Sequence, residues 1–141
     1  MAKWYVGWSN CRSSAVRAAL RRLYSRPAFL DSADVHTSRT DWLFIGSPGP
    51  GADLHHDAIL EPSWQAQLHG RKQWQLRPAP ECLDVCRGFD VTLVPGEVIV
   101  IDTHRWFHKT VVLGDEISIA IGSEFSATPR EVWDDFGPGS E

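Results

Sequence analysis

The stretch DLHHDAIL, Asp53 to Leu60, decides how the middle of this chain is read. It sets His55 and Asp57 two residues apart, with His56 between them. Successive side chains on a strand point to opposite faces, so on a strand His55 and Asp57 share a face that His56 does not. An imidazole and a carboxylate held that way form half of a metal site. The triplet alone is a weak signal, and a histidine-rich polar patch is the competing reading. His108, in DTHRWFHKT, is the candidate third ligand, and His104 in the same turn is its best competitor. Two histidines and one carboxylate leave the remaining coordination positions open, which suits non-haem Fe(II). His36, His56, His69 and His104 read as non-ligands.

Outward from this stretch the pattern is one of short strands and turn signals. Before it, DWLFIG reads as a buried strand and SPGPGA as a rigid loop. DLHHD itself reads as a strand. After it, SWQAQLHGRKQWQL reads as two strands joined at HGRK, PAPEC as a turn, and FDVTLVPGEVIVID as two strands joined at PGE. TVVL and EISIAIGSEF follow, with a tight turn at GD. The N-terminal KWYVGWSN reads as a strand and polar turn. Ser13 or Ser14 then caps a helix in which Val16, Leu20, Leu23 and Tyr24 recur at helical spacing, ended by Pro27. Arg17, Arg21, Arg22 and Arg26 read as its solvated face. Asp31 to Thr40 reads as a polar loop, and residues 128–141 as a mobile acidic tail. Roughly eight short strands without strand–helix alternation close most readily into a barrel or jelly roll.

The bulk numbers bound the function. A chain of 141 residues, 43% apolar, fits one domain with a real core. A formal net charge of −4 argues against a nucleic-acid binder that relies on a broad basic surface. No apolar run is long enough to span a bilayer and no signal peptide is evident, so the expected compartment is the cytoplasm. Cys11, Cys82 and Cys86 are an odd set of three and read as ordinary thiols, with a Cys82–Cys86 disulfide left open.

Four ordered pieces carry a more specific signal: LFIGSPGPGADLHHD, SWQAQLHGRKQW, PGEVIVIDTHRWFH and EISIAIGSEF. Together they resemble the JmjC-type members of the cupin superfamily over about Trp42 to Phe125, with a weaker echo at WYVG. The resemblance implies a single domain over residues 1–127: a mainly β, double-stranded β-helix, or cupin-like jelly roll, with a short N-terminal helix. It implies an Fe(II)- and 2-oxoglutarate-dependent oxygenase (hydroxylase) in which His55, Asp57 and His108 match the iron-binding triad. Lys72 matches the lysine that binds the far carboxylate of 2-oxoglutarate. Gln65 stands where relatives often have an asparagine beside the cosubstrate, and Tyr5 matches a tyrosine that reaches the same carboxylate in some members.

Read from the residues alone, Lys72 flanks a turn with its ammonium in water, and Tyr5 is equally an ordinary packed tyrosine. Trp64, Trp74, Trp106 and Phe107 could line the site or fill the core. The chain departs from the family at Ala52 and Gly122, where relatives carry hydroxyls; Ser123, Ser118 or Tyr5 could stand in. The expected substrate is a protein side chain or a small molecule. The alternative is a cupin that binds a metal or small ligand without turnover, and a third reading is a different metal-dependent reaction.

Overall fold

The computed structural model describes residues 2–127. The expected acidic tail therefore lies outside the described residues. Among the described residues, nine strands form two antiparallel sheets. They are β1 (Tyr5–Ser9), β2 (Val35–Gly46), β3 (Gly49–Pro50), β4 (Ser63–His69), β5 (Arg71–Pro78), β6 (Phe89–Leu93), β7 (Val98–Ile101), β8 (Trp106–Leu113) and β9 (Ser118–Ala127). One sheet runs β1-β2-β9-β4-β7 and the other β3-β8-β5-β6. The links β4–β5, β6–β7 and β8–β9 each carry the chain from one sheet to the other. This is the jelly-roll winding of a double-stranded β-helix.

The turns that allow this winding are local. Gly70, between β4 and β5, has φ of +66°, and a Cβ there would collide with the Ile117 carbonyl. HGRK therefore joins two strands as expected, but the two strands belong to opposite sheets. In β5 the buried residues are Lys72, Trp74, Leu76 and Pro78; in β8 they are His108, Thr110 and Val112. Alternation of period two thus points one face of each strand inward. Trp74, Leu76, Leu93 and Ile101 pack between the sheets. Outside the five-stranded sheet, Leu30 and Tyr24 cover Trp64, Ala66 and Ile121.

Three sequence expectations need correction. The helix α1 covers only Ser14–Leu20, capped by the Ser13 hydroxyl, and stops well before Pro27. Its last turn tightens, with Arg22 N–H donating to Ala19 and Leu23 N–H to Leu20. Leu23 is exposed. Asp31 to Thr40 is not all loop, because β2 begins at Val35 and pairs there with the end of β9 across a bulge between Thr37 and Asp41. DLHHD is not a strand: it makes a single bridge, His55 with His108. The three cysteines are free thiols.

The arginines are not one solvated face either. Arg21 donates from Nε and Nη2 to the fully buried Asp41 carboxylate at 2.8 and 2.6 Å. Tyr24 donates its hydroxyl to the same carboxylate at 3.0 Å, and the Asn10 side chain accepts from the Asp41 N–H at 2.8 Å. This network fastens the helical segment onto β2. Breaking one partner of a buried pair leaves a charge without water or counter-ion. We expect Arg21→Met to lower stability by about 3 kcal/mol in urea unfolding, and Arg21→Met combined with Asp41→Asn to recover part of the loss.

Candidate metal centre

The bridge between His55 and His108 is the frame of the site. His55 N–H donates to the His108 carbonyl at 3.0 Å and His108 N–H to the His55 carbonyl at 2.7 Å. Two residues on, Asp57 N–H donates to the Thr103 carbonyl at 2.9 Å. An irregular segment is thereby held against β8 and the turn before it. His55, Asp57 and His108 come together with one ligand atom each, all within 4.8 Å of one another. His55 Nε2 lies 3.5 Å from Asp57 Oδ1.

Hydrogen bonds fix which imidazole nitrogen is free. Nδ1 of His55 bonds the Asp53 carbonyl at 2.6 Å, and Nδ1 of His108 bonds the Trp106 carbonyl at 3.1 Å. A carbonyl only accepts, so each Nδ1 carries the proton and each Nε2 presents a lone pair. Burial holds His108 below its ordinary pKa, against the opposing pull of the Trp106 carbonyl. The ring is neutral, as a ligand must be. His104, the competitor, is turned elsewhere: its Nδ1 bonds the Asp57 carbonyl at 3.0 Å. His56 packs on Phe107 and His69 bonds the Ile117 carbonyl, both away from the triad.

The triad opens into a cavity of about 310 Å³ between the sheets. Tyr5, Gln65, Trp64 and Trp74 line it; Trp106 instead packs on Phe89 and Phe107 on His56. Lys72 is fully buried. Strand register places it deep: Leu76 pairs with His108, Trp74 with Thr110 and Lys72 with Val112. That is four residues below the histidine, or about 13 Å at ~3.3 Å per residue. Its ammonium donates to the Gln65 side-chain oxygen. The rings of Phe44, Trp74 and Tyr5 lie at 5.5, 5.5 and 6.0 Å from it. No carboxylate among the described residues pairs with it. Desolvation lowers its pKa to about 7.

Three further residues were not singled out as site residues from sequence. The buried Thr110 hydroxyl accepts from the Ala52 N–H at 3.0 Å and bonds Tyr5, whose pKa burial raises against that hydrogen bond. A hydroxyl therefore stands beside Ala52. Its signal was available, since Thr110 lies two residues from His108 on one strand and shares its face. Trp42 and Glu124 also line the cavity, with indole Nε1 donating to the carboxylate at 2.9 Å. Eighty-two residues separate them, and no local pattern links such a pair. At Gly122 a Cβ would collide with the Trp64 carbonyl, so β4 leaves no room for a hydroxyl side chain there.

The donor set suits a divalent transition metal, with two neutral imidazole nitrogens and one carboxylate. The depth beneath it suits a short anion, because a buried ammonium without a counter-charge is costly.

No protein-family model matches the chain, and no curated protein matches it. Solved structures of cupin-fold proteins do. The ribosomal oxygenase YcfD from Escherichia coli, in complex with cobalt and succinic acid, is 20% identical with a TM-score of 0.54, over 78% of this chain and 28% of that one. Oxalate decarboxylase from Bacillus subtilis is 15% identical with a TM-score of 0.50, over 71% and 25%. The Drosophila melanogaster CENP-C cupin domain is 13% identical with a TM-score of 0.50, over 67% and 62%. The matched region spans less than two thirds of each of these chains. At such identities the likeness establishes the cupin fold.

Proposed function

We propose that this protein is an Fe(II)- and 2-oxoglutarate-dependent oxygenase that hydroxylates a protein side chain or a small molecule. The observation that carries the reading is Lys72: an ammonium fully buried beneath an open-sided His–Asp–His triad, with no carboxylate of the described chain to balance it. A short dicarboxylate bound with one end at the metal and the other at Lys72 supplies the missing charge.

His55, Asp57 and His108 would hold the metal, which when bound couples oxidative decarboxylation of 2-oxoglutarate to hydroxylation of a C–H bond. The chain's own residues do the rest. The Asp53 and Trp106 carbonyls hold both imidazoles in the ligand tautomer. Lys72 balances the far carboxylate, and Gln65 yields to it the bond its side-chain oxygen now accepts. Tyr5 and Thr110 stand beside that end as hydroxyl donors. Trp74 and Phe44 exclude water, which strengthens each electrostatic contact.

A second reading, a cupin that binds metal or ligand without turnover, draws on Ala52 and Gly122, which bring no hydroxyl to the cavity. Succinate release from 2-oxoglutarate with added Fe(II) separates the two. We expect release by the wild type and none by Asp57→Ala. Absence of both release and 2-oxoglutarate binding in the wild type would select the binding protein.

Lys72→Met should raise the 2-oxoglutarate requirement about 100-fold, with metal affinity by calorimetry unchanged. Loss of metal binding in that variant would remove Lys72 from the proposed role. The lysine also has a signature in the ligand-free protein. Its pKa of about 7 when folded lies below the ordinary 10.5, so between those values the unfolded chain holds a proton that the folded chain has released. Wild-type stability should therefore rise relative to Lys72→Met as pH increases through that window. Paired urea titrations at pH values near its two ends would measure it, and a flat difference would contradict the buried, unbalanced ammonium.

A further inference from the structure

Charge is segregated along this chain. Residues 1–40 hold seven of its 14 lysines and arginines but only two of its 18 acids, Asp31 and Asp34. That stretch carries a formal +5, so the remainder carries −9 within the net −4. Arg21 and Arg26 pair with Asp41 and Asp31. Lys3, Arg12, Arg17, Arg22 and Arg39 form no ion pair among the described residues. The fold gathers arginines at the end of β1. Asn10 is buried there and donates from its side-chain amide to the Ser13 carbonyl at 3.0 Å and the Arg39 carbonyl at 3.1 Å. This ties the turn that carries Arg12 to the bulged part of β2 that carries Arg39. Cys11 and Arg12 hold φ of 47° and 67° in that turn, a region that residues with side chains enter rarely.

Aromatic rings stand beside these cations. Trp8 pairs with Leu43 and Leu43 with Ile121, so all three side chains lie on the sheet face that Tyr24 and Leu30 partly cover. Trp4 continues the pairing of β1, its carbonyl accepting from Ser47 N–H at 2.9 Å. β1 is the edge strand of that sheet and leaves Trp4 and Trp8 43% and 45% exposed. Four residues apart on one strand, the two indoles share a face with about 13 Å between them, at ~3.3 Å per residue. Rings held on a rigid strand beside unpaired guanidinium groups offer stacking to unpaired bases and positive charge to phosphates. Six of the seven cations in residues 1–40 are arginine. Its planar fork grips a phosphate through two bonds and stacks on a base, as lysine cannot. An anionic membrane surface draws no such distinction between the two.

We propose that β1, the turn after it and the exposed arginines beside it bind single-stranded nucleic acid, with bases stacked on Trp8 and Trp4 and phosphates held by Arg12, Arg22 and Arg39. The net charge of −4 does not oppose this, because at 0.1 M salt each exposed charge is screened beyond about 10 Å. The face borders the cavity, since Ser123, which lines it, donates its hydroxyl to the Thr40 carbonyl next to Arg39. The inference makes no use of the oxygenase reading and is tested apart from it.

The test is fluorescence anisotropy of a fluorescein-labelled, mixed-sequence RNA of about 12 nucleotides titrated with the full chain, at salt from about 50 to 200 mM. The wild type is expected to bind it in the micromolar range at the low end, and a duplex of the same sequence about tenfold more weakly. Arg12→Gln combined with Arg39→Gln should weaken binding about tenfold and flatten the slope of log affinity against log salt by about 1.4, the loss of two phosphate contacts. Trp8→Ala should weaken binding about tenfold and leave that slope unchanged, because stacking releases no counterions. Trp8→Phe keeps a ring and should regain most of what Trp8→Ala loses. All three positions are exposed, so urea unfolding of each variant should match the wild type. No RNA binding by the wild type at low salt, equal binding of the duplex, or a salt slope unmoved by the arginine pair overturns the proposal. So does sedimentation with phosphatidylserine vesicles that the arginine pair abolishes while RNA stays unbound, which would make this face a membrane surface.

Discussion

Two backbone hydrogen bonds, exchanged between His55 and His108, are the constraint on which the site depends. They join residues 53 positions apart and pin residues 53–57, which make no strand of their own, against β8. Such a long-range closure is entropically expensive for an isolated loop. It is affordable here because β8 is already held by β5 along its whole length, Arg71 with Leu113 through Pro78 with Trp106. The Asp57 N–H bond to Thr103 and the His104 bond to the Asp57 carbonyl complete the clamp. The main chain thus brings the three side chains close enough for their ligand atoms to lie within 4.8 Å of one another.

The same ladder spaces the charges. Period-two alternation turns Lys72, Trp74 and Leu76 inward on one strand and Val112, Thr110 and His108 on its neighbour. A step of two residues is then a step in depth. Register on one sheet sets the triad above Lys72, and register on the other sets Glu124 one step beyond Gln65. Neither the lysine nor the glutamate is balanced within the described chain, which a purely structural interior would not tolerate without cost. Native proteins carry such violations where ligands complete the site. The Nε1 of Trp74, which also lines the cavity, has no hydrogen-bond partner among the described residues.

Much of this was legible in the sequence, for local reasons. Turn residues and alternation marked β4 to β9 and the crossings at Gly70 and Gly96, because those signals act over a few residues. The ordered motifs added the candidate triad and Lys72. The misreadings share a cause. Arg21 looked like one of four solvated arginines, yet a buried aspartate twenty residues away claims it. Val35 to Thr40 looked like loop, since its polar residues pair with the distant end of β9. DLHHD carried the alternation of a strand and became a clamped irregular segment.

What the sequence by itself determined is the inventory: short alternating strands, glycines at the crossings, and two histidines and an aspartate of ligand type. Those follow from backbone sterics and side-chain period, which are properties of neighbours along the chain. Only the tertiary structure decided that His108 rather than His104 meets His55, that Thr110 stands beside Ala52, and that Glu124 faces the cavity with Trp42 as its donor. Those choices are made by pairing between strands far apart in the chain, where a shift of one residue exchanges the inner face for the outer.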